Sequence, residues 1–200
     1  MLRRGVGAVL VAFAVVLFLG FFPASHASGL HKRVLMIIAP ENFRDEELFV
    51  TKRVLESRGV LVSVASVRRG MATGMLGGVF RVELTFDAVD PGSFDAVILV
   101  GGSGARIFWD DPAVHRLLKD AYHKGAVVGA ICISPVTLCR AGLLRGRKAT
   151  VWGGVSRILR RCGARYTGKD VEIDGHIVTA NGPHAAKPFA EAVLRLMGYM

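Results

Sequence analysis

The sequence predicts an α/β fold in which a mostly parallel sheet carries helices on both faces, as a three-layer sandwich. Short apolar runs rich in Val and Ile alternate along the chain with segments whose apolar residues recur at helical spacing. Glycine-rich turns follow directly after apolar runs, as expected where buried strands end at the edge of an open sheet. The length of 200 residues fits one such domain behind an N-terminal segment.

The first 27 residues are predicted to be a targeting segment. MLRR is basic, residues 5–22 form an uninterrupted apolar run, and PASHASG supplies a helix breaker followed by small residues. This is the layout of a secretory signal, with Ala27 as the last residue removed. The apolar run is also close to the length that spans a bilayer, so an uncleaved membrane anchor is the alternative. We expect a periplasmic or extracellular protein in the first case and membrane contact in the second.

The first half of the domain is predicted to contain two buried strands and one helix. RVLMIIA, at residues 33–39, and VLVSVAS, at residues 60–66, are typical of buried strands. Between them a helix is expected, which Asp45 can cap and Gly59 can close. The glycine-rich stretch at 68–89 is predicted to be irregular, with a short hairpin.

The second half of the domain continues the alternation. Asp111 precedes a proline, which is a favourable combination for starting a helix. The predicted elements are strands at 94–100 and 126–132, a helix from Pro112 to about Lys124, a helix from about Pro135, strands near KATVW and HIVTA, and a closing helix from about Ala186.

The charge distribution argues against a nucleic-acid partner. The formal charge is +10, but the basic residues are scattered, and only RILRR at 157–161 forms a dense cluster. No aromatic residues are interleaved with that cluster, as a groove for nucleic acid would need. We therefore interpret RILRR as a solvated helix face.

The cysteines and histidines exclude some kinds of site. Three cysteines, Cys132, Cys139 and Cys162, leave at least one thiol free or paired outside the chain. Cys139 lies two helical turns after Cys132 and is expected to be a buried packing residue, whereas Cys162 is expected to be partly exposed. The six histidines are dispersed and no metal-binding spacing occurs, so neither a metal nor another cofactor is expected.

Two features are predicted to meet at the carboxyl ends of the strands, where open α/β sheets carry their sites. GGSGAR follows the strand at 94–100, and Cys132 ends the strand at 126–132. GGSGAR is not a dinucleotide fingerprint, because Phe108 stands where the third glycine belongs. Gly101 and Gly102 are instead expected to present backbone N–H groups to an oxyanion.

Cys132 is a candidate nucleophile. It lies between a predicted strand and a helix that begins near Ser134 and Pro135, the strand-turn-helix arrangement of a nucleophile elbow. Backbone N–H groups at the start of that helix favour a thiolate, so we expect a lowered thiol pKa. From the pattern alone, an ordinary buried cysteine remains the alternative.

The chain resembles the ThiJ/PfpI family of the class I glutamine amidotransferase-like superfamily. AICISPVTLCRAGLLRGRKAT is similar to the A-I-C-x-x-P…AG-x-L-x-G-x-KAT block of that family, and PENFRDEELFVTKRVLESRG, FDAVILVGG and IVTANGP are similar to further family segments. The resemblance covers residues 33–198 and implies a flavodoxin-like fold. The family includes cysteine peptidases, glyoxalases, deglycases and a redox protein, and its members usually form dimers or larger rings.

The resemblance also implies the site residues. Cys132 matches the nucleophilic, oxidation-prone cysteine, and Glu47 matches the acid that hydrogen-bonds it. The N–H groups of Gly102 and Ile133 match the oxyanion donors, with Gly101 beside them. Without the resemblance, Glu47 would be interpreted as an ordinary carboxylate at a helix start.

One departure from the family bears on the reaction. Peptidase members have a histidine directly after the cysteine, whereas this chain has Ile133, which can neither accept nor donate the required proton. His184, in NGPHAAKPF, is a candidate substitute at the same rim, with a surface or capping role as the alternative. A peptidase or amidase is therefore weakly supported.

The chemistry that remains is addition of a thiolate to an electrophilic carbonyl. We expect an enzyme that acts on small carbonyls or glycated groups through Cys132 and Glu47, without a cofactor. The alternative is a redox-sensing or chaperone-like stress protein in which Cys132 is oxidised to a sulfinate. The expected partners are a small carbonyl or protein-derived substrate and further copies of the chain, as a homodimer or larger ring.

Overall fold

Short strands make up much of the domain. The computed structural model describes residues 31–199. Its strands are β1 (Arg33–Ile37), β2 (Glu41–Phe43), β3 (Leu61–Ser66), β4 (Gly70–Gly74), β5 (Val79–Val82), β6 (Leu84–Thr85), β7 (Ala96–Leu99), β8 (Val127–Ile131), β9 (Lys148–Ala149), β10 (Arg165–Tyr166), β11 (Val171–Asp174) and β12 (Ile177–Ala180).

Five α-helices lie within the same residues. They are α1 (Asp45–Glu56), α2 (Pro112–His123), α3 (Pro135–Arg140), α4 (Ser156–Arg161) and α5 (Ala186–Leu196). Short 3-10 segments occupy Phe86–Ala88, Pro91–Ser93, Ser103–Phe108, Gly153–Val155 and Pro183–Ala185.

A seven-stranded sheet with the order β11-β12-β8-β7-β1-β3-β6 forms the middle layer. All neighbouring strands in it are parallel except β11, which runs antiparallel to β12. Strands β2, β4 and β5 form a second, three-stranded sheet, and β9 and β10 form a parallel pair. The predicted mostly parallel sheet and the predicted hairpin, β4–β5, are both confirmed.

Both faces of the large sheet are buried. Alternate residues of β1 point to opposite sides, so Leu35 packs in one hydrophobic core and Val34 in the other. Helices α2, α3 and α4 cover the first core, and helices α1 and α5 cover the second. The three-layer arrangement follows because every central strand carries apolar residues in both directions.

The structure corrects the prediction for Asp45. Residue 44 occupies the N-cap position of α1, and no side chain caps this end. The Asp45 carboxylate instead accepts hydrogen bonds from the backbone N–H groups of Leu76 (2.8 Å) and Gly78 (2.7 Å). Asp45 therefore ties the β4–β5 hairpin to the start of α1.

Further differences concern the second half of the chain. KATVW contributes only Lys148–Ala149 to a strand, and β11 was not predicted. Asp111 does cap α2, accepting from the N–H groups of Ala113 and Val114 at 2.8 and 3.2 Å. The arginines of RILRR lie on the exposed side of α4.

Cys139 is buried in the core, as predicted, and it is also paired with a second cysteine, which the sequence left open. Cys139, at the end of α3, forms a disulfide with Cys162, which follows α4, with their Cα atoms 5.9 Å apart. Cys132 is the remaining free thiol, as the odd cysteine count requires. The disulfide joins two helices on the same face of the sheet.

The signal and anchor predictions for residues 1–27 lie outside the described residues. Within residues 31–199, none of the helices combines the length and the apolar character needed to cross a membrane.

Candidate active site

Cys132 lies at a sharp turn between β8 and α3. Its φ is +63°, in the left-handed region that residues other than glycine rarely adopt. Its N–H donates to the Ala180 carbonyl at 2.9 Å, and its own carbonyl accepts from the Trp152 N–H at 2.8 Å. Cys132 thus lies between a strand and a helix, and these bonds to two neighbouring segments hold its strained backbone in place.

Glu47 lies in the first turn of α1 and is completely buried. Its Oε2 accepts a hydrogen bond from the Gly101 N–H at 2.9 Å. Its carboxyl group also interacts with the Cys132 thiol. The structure thus brings together Glu47, Gly101 and Cys132, which lie in three separate parts of the sequence.

Gly101 leaves room for this pair. A Cβ at position 101 would lie 2.5 Å from the Cys132 Cβ and 2.6 Å from Oε2 of Glu47. Gly102 has a φ of +96°, and a Cβ there would lie 2.3 Å from the Asn42 carbonyl oxygen. Each glycine therefore permits a close approach, Gly101 between the Cys132 and Glu47 side chains and Gly102 between backbone segments.

Burial controls the proton on Glu47. Removal from water disfavours the carboxylate and raises the pKa of Glu47 from 4.5 to about 8, although the Gly101 N–H and the Arg44 charge oppose the shift. At neutral pH this carboxyl group is therefore mostly protonated. A protonated carboxyl can donate a proton in a reaction, which an ordinary surface glutamate cannot do at the same pH.

The structure corrects the expected direction of the Cys132 pKa. Burial and the negative charge of ionised Glu47 raise the pKa of the Cys132 thiol to about 12. The N–H groups of Gly102 and Ile133 lower it, as expected from their position, but do not compensate for the other two effects. Because Glu47 keeps its proton up to about pH 8, its negative charge acts on the Cys132 thiol only above that pH.

A cavity of about 450 Å³ opens over the sulfur. This volume is in the range of small-molecule sites. Among residues 31–199, no group of three or more His, Cys, Asp or Glu side chains is placed to hold a metal ion. The cavity is lined by Arg44, Met75, Gly102, Ser103, Arg106, Cys132, Ile133, Trp152 and Pro183.

His184 is hydrogen-bonded to an exposed acid outside this cavity. It does not line the cavity, although its neighbour Pro183 does. Its Nε2 lies 3.1 Å from Oδ1 of Asp170, and its side chain is 62% exposed. The structure therefore places His184 at the surface and does not bring it to the sulfur.

Several cavity residues were missed by the sequence analysis. Arg44 precedes α1, Arg106 lies within the GGSGAR segment, and Trp152 lies in the loop after β9. Arg106 could have been predicted from the sequence, because it directly follows a turn at the end of a strand, where sites are expected. Trp152 had no such signal, since only the fold brings its loop to the carbonyl of Cys132.

A family model described as the DJ-1/PfpI family matches residues 32–196. The chain belongs to the DJ-1/PfpI family. This membership confirms the ThiJ/PfpI resemblance of the strand-end motifs.

Three relatives illustrate the range of the DJ-1/PfpI family. Protein MJ0967 of Methanocaldococcus jannaschii is 44% identical over 82% of this chain and 81% of its own length. Deglycase PH1704 of Pyrococcus horikoshii is 36% identical over 76% of this chain and 90% of its own length. Glutathione-independent glyoxalase DJR-1.2 of Caenorhabditis elegans is 27% identical over 83% of this chain and 89% of its own length.

A solved structure of a family member has the same fold. The ThiJ/PfpI domain protein from Brachyspira murdochii superimposes with a TM-score of 0.82 and is 34% identical, with 85% of this chain and 98% of that chain covered. The predicted flavodoxin-like α/β fold is thereby confirmed.

Proposed function

We propose that this protein is a cysteine-dependent enzyme that acts on small electrophilic carbonyls or on glycated groups, as a glyoxalase or deglycase. The observation that carries the proposal is the pairing of Cys132 at a strained elbow with the buried acid Glu47 below a cavity of about 450 Å³. Relatives named deglycase and glyoxalase support enzymatic activity of this kind in the family.

The first step forms a hemithioacetal. The Cys132 thiol loses its proton to solvent, its sulfur attacks the aldehyde carbon of a dicarbonyl, a C–S bond forms, and the carbonyl electron pair moves to oxygen. The N–H groups of Gly102 and Ile133, which point towards the sulfur, stabilise the developing oxyanion. Protonated Glu47 then supplies the proton that neutralises it.

The second stage is a proton shuttle. Glu47, now a carboxylate, removes the hydrogen from the carbon bonded to sulfur and returns it to the neighbouring carbonyl carbon, while the hydroxyl proton moves to the second oxygen. The hemithioacetal thereby becomes a thioester. Water cleaves the thioester, which releases a hydroxy acid and restores the Cys132 thiol.

Amide hydrolysis is less well supported. It needs a group that accepts the thiol proton and protonates a leaving amine, and histidine is the usual choice. Ile133 follows the cysteine, and His184 is hydrogen-bonded to Asp170 at the surface. Among the described residues, no histidine lines the cavity.

The experiment is a turnover assay with methylglyoxal, followed by NMR detection of lactate. Wild-type protein is expected to form lactate, and Cys132→Ala to reduce the rate to background. Glu47→Gln is expected to reduce the rate about 10²-fold or more, because it removes the general acid and base. His184→Ala is the matched control and should leave the rate unchanged.

Three results would contradict the proposal. Lactate formation that persists in Cys132→Ala would exclude the thiolate mechanism. Cleavage of unfolded casein that is lost in His184→Ala would instead support a peptidase. A wild-type protein without methylglyoxal turnover would contradict the carbonyl reaction.

A redox function is the second candidate, and one observation favours it. Cys132 is the only cysteine outside the disulfide and lines an open cavity, where a peroxide can reach the sulfur. Oxidation to a sulfinate would place oxygens beside the Glu47 proton. Selective peroxide oxidation of Cys132 without methylglyoxal turnover, measured by mass spectrometry, is the expected result for a sensor.

The disulfide supports our further proposal that the protein is exported. Such bonds persist mainly in oxidising compartments, and Cys139–Cys162 joins two helices of the folded domain. N-terminal sequencing of the protein from its natural source should give Ser28 as the first residue if the segment is cleaved after Ala27. Recovery of the whole chain in membranes would support the anchor instead.

A further inference from the structure

The cavity over Cys132 is positively charged. Two of its nine lining residues are arginines and none is acidic. The acid closest to the sulfur, Glu47, is completely buried and stays protonated up to about pH 8. An anion that enters this cavity at neutral pH therefore meets the guanidinium groups of Arg44, which is paired with Glu46, and of Arg106.

Arg44 is held in a fixed position beside the sulfur. Its Nε donates to Oε2 of Glu46 at 2.8 Å and its Nη2 donates to Oε1 at 3.0 Å. This bidentate pair orients the guanidinium and leaves Nη1 outside the ion pair. The Arg44 side chain is 27% exposed, and its charge acts on both Cys132 and Glu47.

Of the two arginines that line the cavity, Arg106 is the one without an acidic partner among the described residues. No carboxylate lies within ion-pair distance of its guanidinium anywhere in residues 31–199, whereas Arg140, on the same indole ring, is paired with Asp110. The Arg106 Cζ lies 5.2 Å from the centroid of the Trp109 ring. Stacking on this ring leaves the in-plane donors of the guanidinium available to a ligand.

Apolar walls complete the cavity. Trp152 is 51% exposed although it lines the site, and Met75 lies at the tip of the β4–β5 hairpin. The Met75 sulfur accepts a hydrogen bond from the Ser103 N–H at 3.4 Å, which links the hairpin to the GGSGAR segment. A ligand with a short carbon body and an anionic end thus finds apolar contacts for its body and guanidinium groups for its charge.

We infer that this cavity selects carbonyl compounds that carry an anionic group, a carboxylate or a phosphate, which Arg106 and Arg44 bind while the carbonyl carbon faces Cys132. Glyoxylate is the simplest compound of the carboxylate kind. The inference rests on the proposed function for the reacting carbonyl, but the charge selectivity is a property of the cavity itself.

The test compares the alkylation of Cys132 by iodoacetate and iodoacetamide. The two reagents have similar size and the same leaving group and differ in charge, and the thiolate displaces iodide from either one. Cys139 and Cys162 are bonded to each other, so intact-mass spectrometry reports a single reactive thiol. The ratio of the iodoacetate rate to the iodoacetamide rate is measured for the protein and for N-acetylcysteine.

We expect this ratio to be about tenfold higher for the protein than for N-acetylcysteine, since a hydrogen bond to a charged group contributes enough to change a rate by that factor. Arg106→Gln should lower the ratio by about the same factor, and Arg106→Lys should preserve most of it. The matched control is Arg161→Gln, which removes one exposed charge of α4 and should leave the ratio unchanged. Added salt should lower the ratio of the wild-type protein.

Protection against iodoacetamide separates the two anion types. Stronger protection of Cys132 by inorganic phosphate than by acetate assigns the site to phosphorylated carbonyls, and the reverse assigns it to carboxylates. A wild-type ratio equal to that of N-acetylcysteine, with no protection by either anion, would overturn the inference. That result would not bear on the proposed reaction, which methylglyoxal turnover tests separately. Conversely, a charge preference in a protein that does not turn over methylglyoxal would contradict only the proposed reaction.

Discussion

The backbone N–H of Gly101 donates to Oε2 of Glu47 at 2.9 Å and so joins the end of β7 to the first turn of α1. Because Cys132 lies against the same glycine, this hydrogen bond fixes the Glu47 carboxyl beside the Cys132 thiol. The absence of a side chain at position 101 is therefore what lets Glu47 and Cys132 lie this close together.

Replacement of Gly101 by alanine should separate the pair. The new Cβ would lie 2.5 Å from the Cys132 Cβ, so the sulfur, the carboxyl or the β7 end must move. Misplacement of this size can reduce a rate about 10²-fold, and we expect a loss of that order in methylglyoxal turnover. Gly153→Ala is the matched control, because an added Cβ there meets open space. Equal rates for both variants would contradict the tight geometry.

The protonation of Glu47 should appear in the pH dependence of stability. The unfolded chain ionises this group above about pH 4.5, whereas the folded protein keeps it protonated up to about 8. The unfolded state therefore binds fewer protons between these values, so the free energy of unfolding falls as pH rises. The decrease should be on the order of a few kcal/mol and complete above pH 8.

Denaturant unfolding between pH 4.5 and 8.5 measures this effect. Glu47→Gln should remove most of the decrease, because an amide does not ionise. Glu83→Gln, at an exposed position, should retain it. A wild-type protein whose stability rises with pH over this range would show that Glu47 is ionised in the folded state.

The disulfide should stabilise the domain independently of the active site. Cys139 and Cys162 are 23 positions apart, and closing a loop of that length contributes about 3 kcal/mol in the chain-entropy model. Dithiothreitol, or the pair of substitutions Cys139→Ala and Cys162→Ala, should lower the free energy of unfolding by that amount. Cys132→Ala should be as sensitive to dithiothreitol as the wild type. Insensitivity of both proteins would mean that the bond does not form.

Asp45 is expected to position the hairpin that carries Met75. Asp45→Ala removes two hydrogen bonds from the backbone of the hairpin loop and should destabilise the protein by about 1–3 kcal/mol. Hydrogen exchange should become faster throughout β4 and β5. Asp111→Ala, which removes the cap of α2, is the matched control and should cost about 1 kcal/mol without changing exchange in the hairpin. Unchanged exchange in both variants would exclude the positioning role.

The sequence predicts the regular parts of the fold because their signals are local. The strands β1, β7 and β8 are short apolar runs, and the cap at Asp111 lies next to the helix that it starts. In contrast, β11 is a short edge strand with the sequence VEID, whose acidic residues weaken the apolar pattern. Its pairing with β12 depends on a turn that the apolar pattern does not specify.

The candidate site shows the same division. The elbow at Cys132 follows from a strand that ends just before a helix start, and that pattern is visible in one stretch of sequence. The role of Glu47 depends on contacts 54 positions away, and only the family resemblance indicated it. The raised pKa of Cys132 and the Cys139–Cys162 bond depend on burial and on packing between elements, which no local pattern encodes.

Cys132 labelling and enzymatic turnover can be followed in the same sample. Samples alkylated to increasing extents with iodoacetamide are analysed by intact-mass spectrometry and assayed for lactate formation from methylglyoxal. The expected result is that activity falls in proportion to the fraction of Cys132 modified and reaches background at one alkyl group per chain. Full turnover by completely modified protein would contradict the assignment of Cys132 as the nucleophile.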